Sequence, residues 1–79
     1  MQKIEILFGN VVRQRRQQLG LSQEEFADKA GIHRTYVSSI ELGKVQISIG
    51  IAQQLAVALE MPLSKMWKAV EQSTGRSGQ

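Results

Sequence analysis

Cysteine is missing from all 79 residues, and histidine occurs once, at His33. Without thiols the chain can build neither a disulfide framework nor a thiolate metal site, and a reducing interior suits it. A sole imidazole also leaves little for catalysis. Hydrolysis needs a nucleophile with an oriented base, whereas the neighbours of His33 belong to a turn and a helix, not to a carboxylate-lined pocket. No glycine-rich phosphate loop is present. No apolar run approaches the roughly 18 residues of a membrane span, and Met1-Gln2-Lys3 leads into an amphipathic pattern rather than a signal peptide. Internal repeats are absent, and the length allows one domain with a small core. These absences predict a non-enzymatic, cytoplasmic domain without cofactor or metal. Glu24, Glu25 and Asp28 do not alter that expectation, because their place early in a helix fits stabilisation by the helix dipole.

The charge that is present has a direction. The net charge is +3 and the isoelectric point about 9.7, a balance that fits a polyanionic partner without proving one. Arg13, Arg15, Arg16, Arg34 and Lys44 lie in or beside the first three predicted helices, and Glu60 and Glu71 toward the end of the chain. The first half is therefore the expected anion-facing side.

Most of the local signal lies between Ser22 and Gly43. Ser22 and Glu25 have the S-x-x-E spacing of a capping box, which starts a helix there. Phe26, Ala27 and Ala30 follow at helical spacing, and Ala30-Gly31-Ile32 interrupts them where glycine can turn the chain. A second helix is predicted from Arg34 to Leu42. At about 100° per residue, Val37 and Ile40 share one side of it, while Arg34, Thr35, Ser38, Ser39 and Leu42 share the other. That second face offers donors and small groups, as a helix entering a DNA major groove requires.

Before this pair, a helix is predicted from about Glu5 to Leu19, with Phe8, Val11, Val12 and Leu19 inward and Gly20 ending it. Arg16 falls near its buried edge. After a loop over Lys44 to Ile47, Ser48 caps a fourth helix reaching Leu59, with Ile51, Leu55 and Leu59 on its core side. Gly50 weakens its first turn by about 1 kcal/mol relative to alanine. Pro62 opens a fifth helix striped by Leu63, Met66, Trp67 and Val70. The stripe exceeds what a small core needs, so these four residues are expected at a subunit interface. The alternative is that Trp67 closes the core of its own chain. Residues 73–79 lack an apolar anchor and are expected to be a disordered tail beyond a domain spanning 1–72. The fold class is thus all-α, a compact bundle of five helices.

The Ser22 to Gly43 stretch resembles the helix-turn-helix of the Cro and phage-repressor family, also called the xenobiotic-response-element family. The resemblance rests on Leu21-Ser22-Gln23-Glu24-Glu25, Ala27, the Gly31-Ile32 turn, Ile40-Glu41 and Gly43-Lys44. It implies a repressor-like fold and a homodimer that binds double-stranded DNA and regulates transcription at an operator of approximate two-fold symmetry. It also implies an ion pair between Arg16 and Glu41. Arg34 would reach a guanine edge, Thr35 a thymine methyl or base oxygen, and Ser38 and Ser39 shorter or water-mediated contacts. Ser22, Gln23 and Lys44 match positions that hold the DNA backbone. His33 stands where the family has a helix cap, so it either caps or touches a phosphate. Tyr36 either packs inward or places its hydroxyl on a phosphate. Within the family, His33-Arg34-Thr35-Tyr36-Val37-Ser38 with Ile40-Glu41 is similar to the recognition helix of restriction-modification controller proteins. Another class stays open, an antitoxin or adaptor whose main surface docks a protein.

Overall fold

The computed structural model describes residues 3–77. They form five helices and, among the described residues, no strand: α1 (Ile4–Gln18), α2 (Gln23–Ala30), α3 (Arg34–Glu41), α4 (Ile49–Ala58) and α5 (Leu63–Ser77). Two serines set helix starts. Ser22 Oγ accepts from the Glu25 amide at 3.0 Å while the Glu25 carboxylate accepts from the Ser22 amide at 2.9 Å, a complete capping box. Ser48 Oγ accepts from the Ile51 amide at 3.1 Å.

The ends share one device. At the end of α2 the Ile32 amide donates to the Ala27 carbonyl at 3.0 Å around Gly31, whose φ of 74° only glycine adopts without strain. The same bond closes α1 (Leu21 to Arg16), α3 (Lys44 to Ser39) and α4 (Met61 to Ala56). In α4 the left-handed position falls on Glu60, at φ 58°. Two cations hold that corner. Arg15 Nε donates to the Leu59 carbonyl at 2.9 Å, and Lys29 Nζ lies 2.7 Å from the Glu60 carboxylate. The Lys29 hydrogen bond and charge keep the Glu60 carboxyl below the usual carboxylate range.

All five helices contribute to one core, in which Val12, Phe26, Val37, Leu55, Leu59, Met66 and Val70 are fully buried. Each such side chain contributes roughly 1.5–3 kcal/mol. This corrects one expectation. Met66 and Val70 cannot belong to a subunit interface, because α5 lies against α1 and α4 and turns both residues into the chain's own core. Of the stripe on α5, Leu63 is half-buried and Trp67 remains 40% exposed, its ring 5.4 Å from that of Phe8. A second difference concerns the end of the chain. Residues 73–77, expected to lack structure, continue α5, since extending a helix from an anchored turn costs far less than starting one. Residues 78 and 79 of that expected tail lie outside the described residues.

Two glycines let α1 sit directly on the end of α3. A Cβ on Gly9 would overlap the Ile40 and Glu41 carbonyl oxygens, and one on Gly43 would overlap Ile6. Gly9→Ala must therefore push α1 from α3. Overpacking of this kind costs about 1–3 kcal/mol, and the melting temperature followed by circular dichroism should fall by roughly 4–8 °C per kcal/mol. An unchanged melting temperature would show that the contact is slack.

Candidate nucleic-acid interface

The interface is built around α3. Taking about 100° per residue from Thr35, Val37 and Ile40 centre near 170°, while Ser38, Leu42 and Ser39 fall between about −60° and +40°. The first pair is buried, and Arg34, Thr35 and Leu42 are exposed with Ser38 and Ser39 half-exposed. One side thus anchors the helix and the opposite side faces outward. The side chains of Arg34, Thr35, Ser38 and Ser39 form no hydrogen bond or ion pair with any described residue. Their donors are free for something outside the chain.

What holds α3 in place is a buried carboxylate. Glu41 is 6% exposed. Arg16 Nε donates to its Oε2 at 2.6 Å, Arg16 Nη2 to its Oε1 at 3.1 Å, and Gln23 Nε2 to the same Oε1 at 3.1 Å. Arg16 Nη1 donates to the Leu21 carbonyl at 2.8 Å, so the guanidinium bridges α1, the chain entering α2 and the last turn of α3. Among the described residues no buried side-chain nitrogen or oxygen lacks a partner. The structure brings Arg16 and Glu41 together and adds Gln23, for which the resemblance implies only a contact with the DNA backbone. A hydrogen bond between residues 18 apart leaves no mark in helical periodicity.

The remaining expected backbone-contacting residues lie at helix ends. Ser22 is exposed, with its hydroxyl committed to the α2 cap. His33 occupies the position before α3 but makes no side-chain cap bond, so the capping role is not taken up. Lys44 is exposed beyond Gly43. Tyr36 is half-buried, its ring packed against the core. Gln54 Nε2 donates to the Ala30 carbonyl at 3.1 Å, tying α4 to the turn between α2 and α3. Among the described residues no group of His, Cys, Asp or Glu is placed to hold a metal ion, and no helix is long and apolar enough to cross a membrane.

The pattern gives only part of a second surface, Leu63 and Trp67. Ile4, Val45, Ile47, Ile49, Leu63 and Trp67 are among the residues lining a groove of about 360 Å³ between α1, α4, α5 and the loop before α4. On its rim Ile49 is 83% exposed. The available signal was an isoleucine in line with the exposed Gln53 instead of the Ile51, Leu55 and Leu59 stripe.

A capped helix, a tight glycine turn and an outward polar helix, locked by a buried carboxylate, define a helix-turn-helix protein, and the chain belongs to that family: residues 12–66 match it. Its relatives are more particular. The chain is 38% identical over 72 residues to control protein C.MunI of a Mycoplasma species, an alignment covering 90% of this chain and 97% of that protein. It is 40% identical over 57 residues to control protein C.BamHI of Bacillus amyloliquefaciens, covering 71% and 70% of the two chains. Among solved structures, the restriction-modification controller protein C.AhdI from Aeromonas hydrophila superposes with a TM-score of 0.76 at 34% identity, covering 78% of this chain and 94% of that one.

The lock on α3 can be tested directly. The Arg16 and Glu41 side chains are 11% and 3% exposed, so the pair falls in the buried regime, where removing one partner costs about 3–5 kcal/mol. Glu41→Gln should lower the urea midpoint accordingly, and Arg16→Met combined with Glu41→Leu should cost less than the two single changes summed. A Glu41→Gln variant unfolding at the same urea concentration as the parent would show that the pair carries no load.

Proposed function

We propose that the chain binds double-stranded DNA sequence-specifically as a homodimer and regulates transcription, as a cytoplasmic controller protein of a restriction-modification system. The observation that carries this reading is the outward face of α3, whose donors have no partner within the described chain. The likeness to control proteins, over 90% of the chain for C.MunI and 71% for C.BamHI, supports the narrower assignment. The assigned role is regulatory rather than enzymatic.

In this reading α3 lies in the major groove. Arg34 presents a bidentate guanidinium to guanine O6 and N7, Thr35 meets a thymine methyl or base oxygen, and Ser38 and Ser39 make shorter or water-mediated contacts. Ser22, Gln23, His33, Tyr36 and Lys44 contact the backbone. Gln23 offers the second hydrogen of the amide whose first is held by Glu41. Two copies reading half-sites about 34 Å apart require an operator of approximate two-fold symmetry. The pairing surface is the groove rimmed by Ile4, Ile49 and Trp67, where an exposed isoleucine stands beside an apolar recess and so suits a self-complementary contact.

Two measurements test the reading. Operators are first selected from random duplexes and titrated with salt. Arg34→Ala should lose about 1–3 kcal/mol on the selected operator and relax preference at one position per half-site. Lys44→Ala should weaken all sequences alike and lower the salt slope by about one unit per subunit. Equal loss for Arg34→Ala on operator and scrambled DNA would remove α3 from the reading role. The dimer is tested by sedimentation at micromolar concentration. The parent should sediment at twice the chain mass and Ile49→Glu at the single chain mass, whereas a parent that stays single with and without operator ends the dimer.

A further inference from the structure

Leu42 has no evident task. It is 58% exposed, one of five large apolar side chains left at the surface among the described residues. Ile4, Ile49 and Trp67 line the groove between α1, α4 and α5, and Val57 lies on α4. Leu42 alone stands on the outward face of α3. Its φ and ψ of −86° and −5° are still right-handed helical, so its side chain continues that face. About 700° after Thr35, it falls roughly 20° short of alignment with it, between Ser38 and Ser39. Its position is also rigid. The Leu42 amide donates to the Ser38 carbonyl at 3.1 Å, and the next residue, Gly43, is pressed against Ile6. An apolar group is thus held among polar ones with more than half of its surface open.

Resting on the proposed DNA-binding reading, we infer that Leu42 is a specificity-determining residue that reads the C5-methyl group of a thymine. The thymine methyl is the one apolar group larger than a C–H that the major-groove edges of the four bases display, beside their donors and acceptors. A leucine opposite any other base would desolvate polar edge atoms without replacing their hydrogen bonds. Leu42 therefore selects for thymine and against the other bases at its position. At about 1.5 Å per residue, it stands roughly 12 Å along the helix from Arg34. The thymine it reads lies a few base pairs from the guanine read by Arg34, toward the other end of the half-site.

The experiment replaces each thymine of the selected operator in turn by deoxyuridine, which removes only the methyl. The parent should bind one such operator about fourfold more weakly per half-site, the value expected for one buried methyl. Leu42→Ala should bind the thymine and deoxyuridine operators alike, and Leu42→Met, which keeps an apolar tip, should retain most of the difference. Thr35→Ser is the control, because its methyl is the other candidate reader, and the Leu42-dependent step should survive it. Thermal melts of each variant check that the exposed changes leave the fold intact. A parent that binds its operator but is indifferent to every deoxyuridine overturns the inference alone. So does a methyl effect that persists in Leu42→Ala and vanishes in Thr35→Ser. A parent for which no operator can be selected overturns the DNA-binding reading itself.

Discussion

The carboxylate of Glu41 sits where water does not reach, and the arrangement of the first three helices follows from satisfying it. A buried carboxylate without partners would cost several kcal/mol. Here Arg16 arrives from α1 and Gln23 from the first turn of α2, and together they supply three hydrogen bonds. Those bonds exist only when α1, α2 and the last turn of α3 meet at one point. Gly9 lets that meeting be close, since α1 rests on the backbone oxygens beside the same glutamate. The last turn of α3 is thereby held by electrostatics and backbone contact together, while its middle is held by Val37 and Ile40 in the core. α3 cannot rotate about its axis without breaking one set or the other.

The core and the surfaces are kept apart. Met66 and Val70 finish the core inside one chain, so the apolar groove beside Trp67 is left as surplus surface and not as an unfinished interior. The polar face of α3 is likewise surplus, in donors rather than apolar area. The two surpluses lie on different elements, which allows a copy of the chain and a duplex to be engaged together.

Much of this was legible in the sequence because it is local. The capping box at Ser22, the turn at Gly31 and the two faces of α3 depend on residues a few positions apart, where spacing and turn chemistry speak directly. The resemblance supplied the Arg16 and Glu41 pair, which periodicity alone could place only near a buried edge. What escaped was set by packing between distant segments. The stripe on α5 looked excessive because the depth of its contact with α1 cannot be counted from spacing, and Met66 and Val70 went to the wrong surface for that reason. Gln23 reaching Glu41, Gln54 capping the Ala30 carbonyl and the groove around Ile49 are likewise products of chain crossing. The continuation of α5 to Ser77 leaves no apolar mark in the sequence, because an existing helix propagates beyond its last anchor.

The empty bonding record of the outward face of α3 has an evolutionary side. The side chains of Arg34, Thr35, Ser38 and Ser39 make no hydrogen bond or ion pair within the described chain and that of Leu42 stays outside the core, so exchanging them disturbs neither the core nor the Glu41 lock. A lineage can therefore drift from one recognised sequence to another through neutral steps in stability, each variant as foldable as its ancestor. The positions whose exchange would disturb the scaffold are instead Gly9, Arg16, Glu41 and Gly43, which touch no base in the proposed reading. Descendants of this chain should keep those four while their outward residues diverge, so that scaffold and address evolve at separate rates.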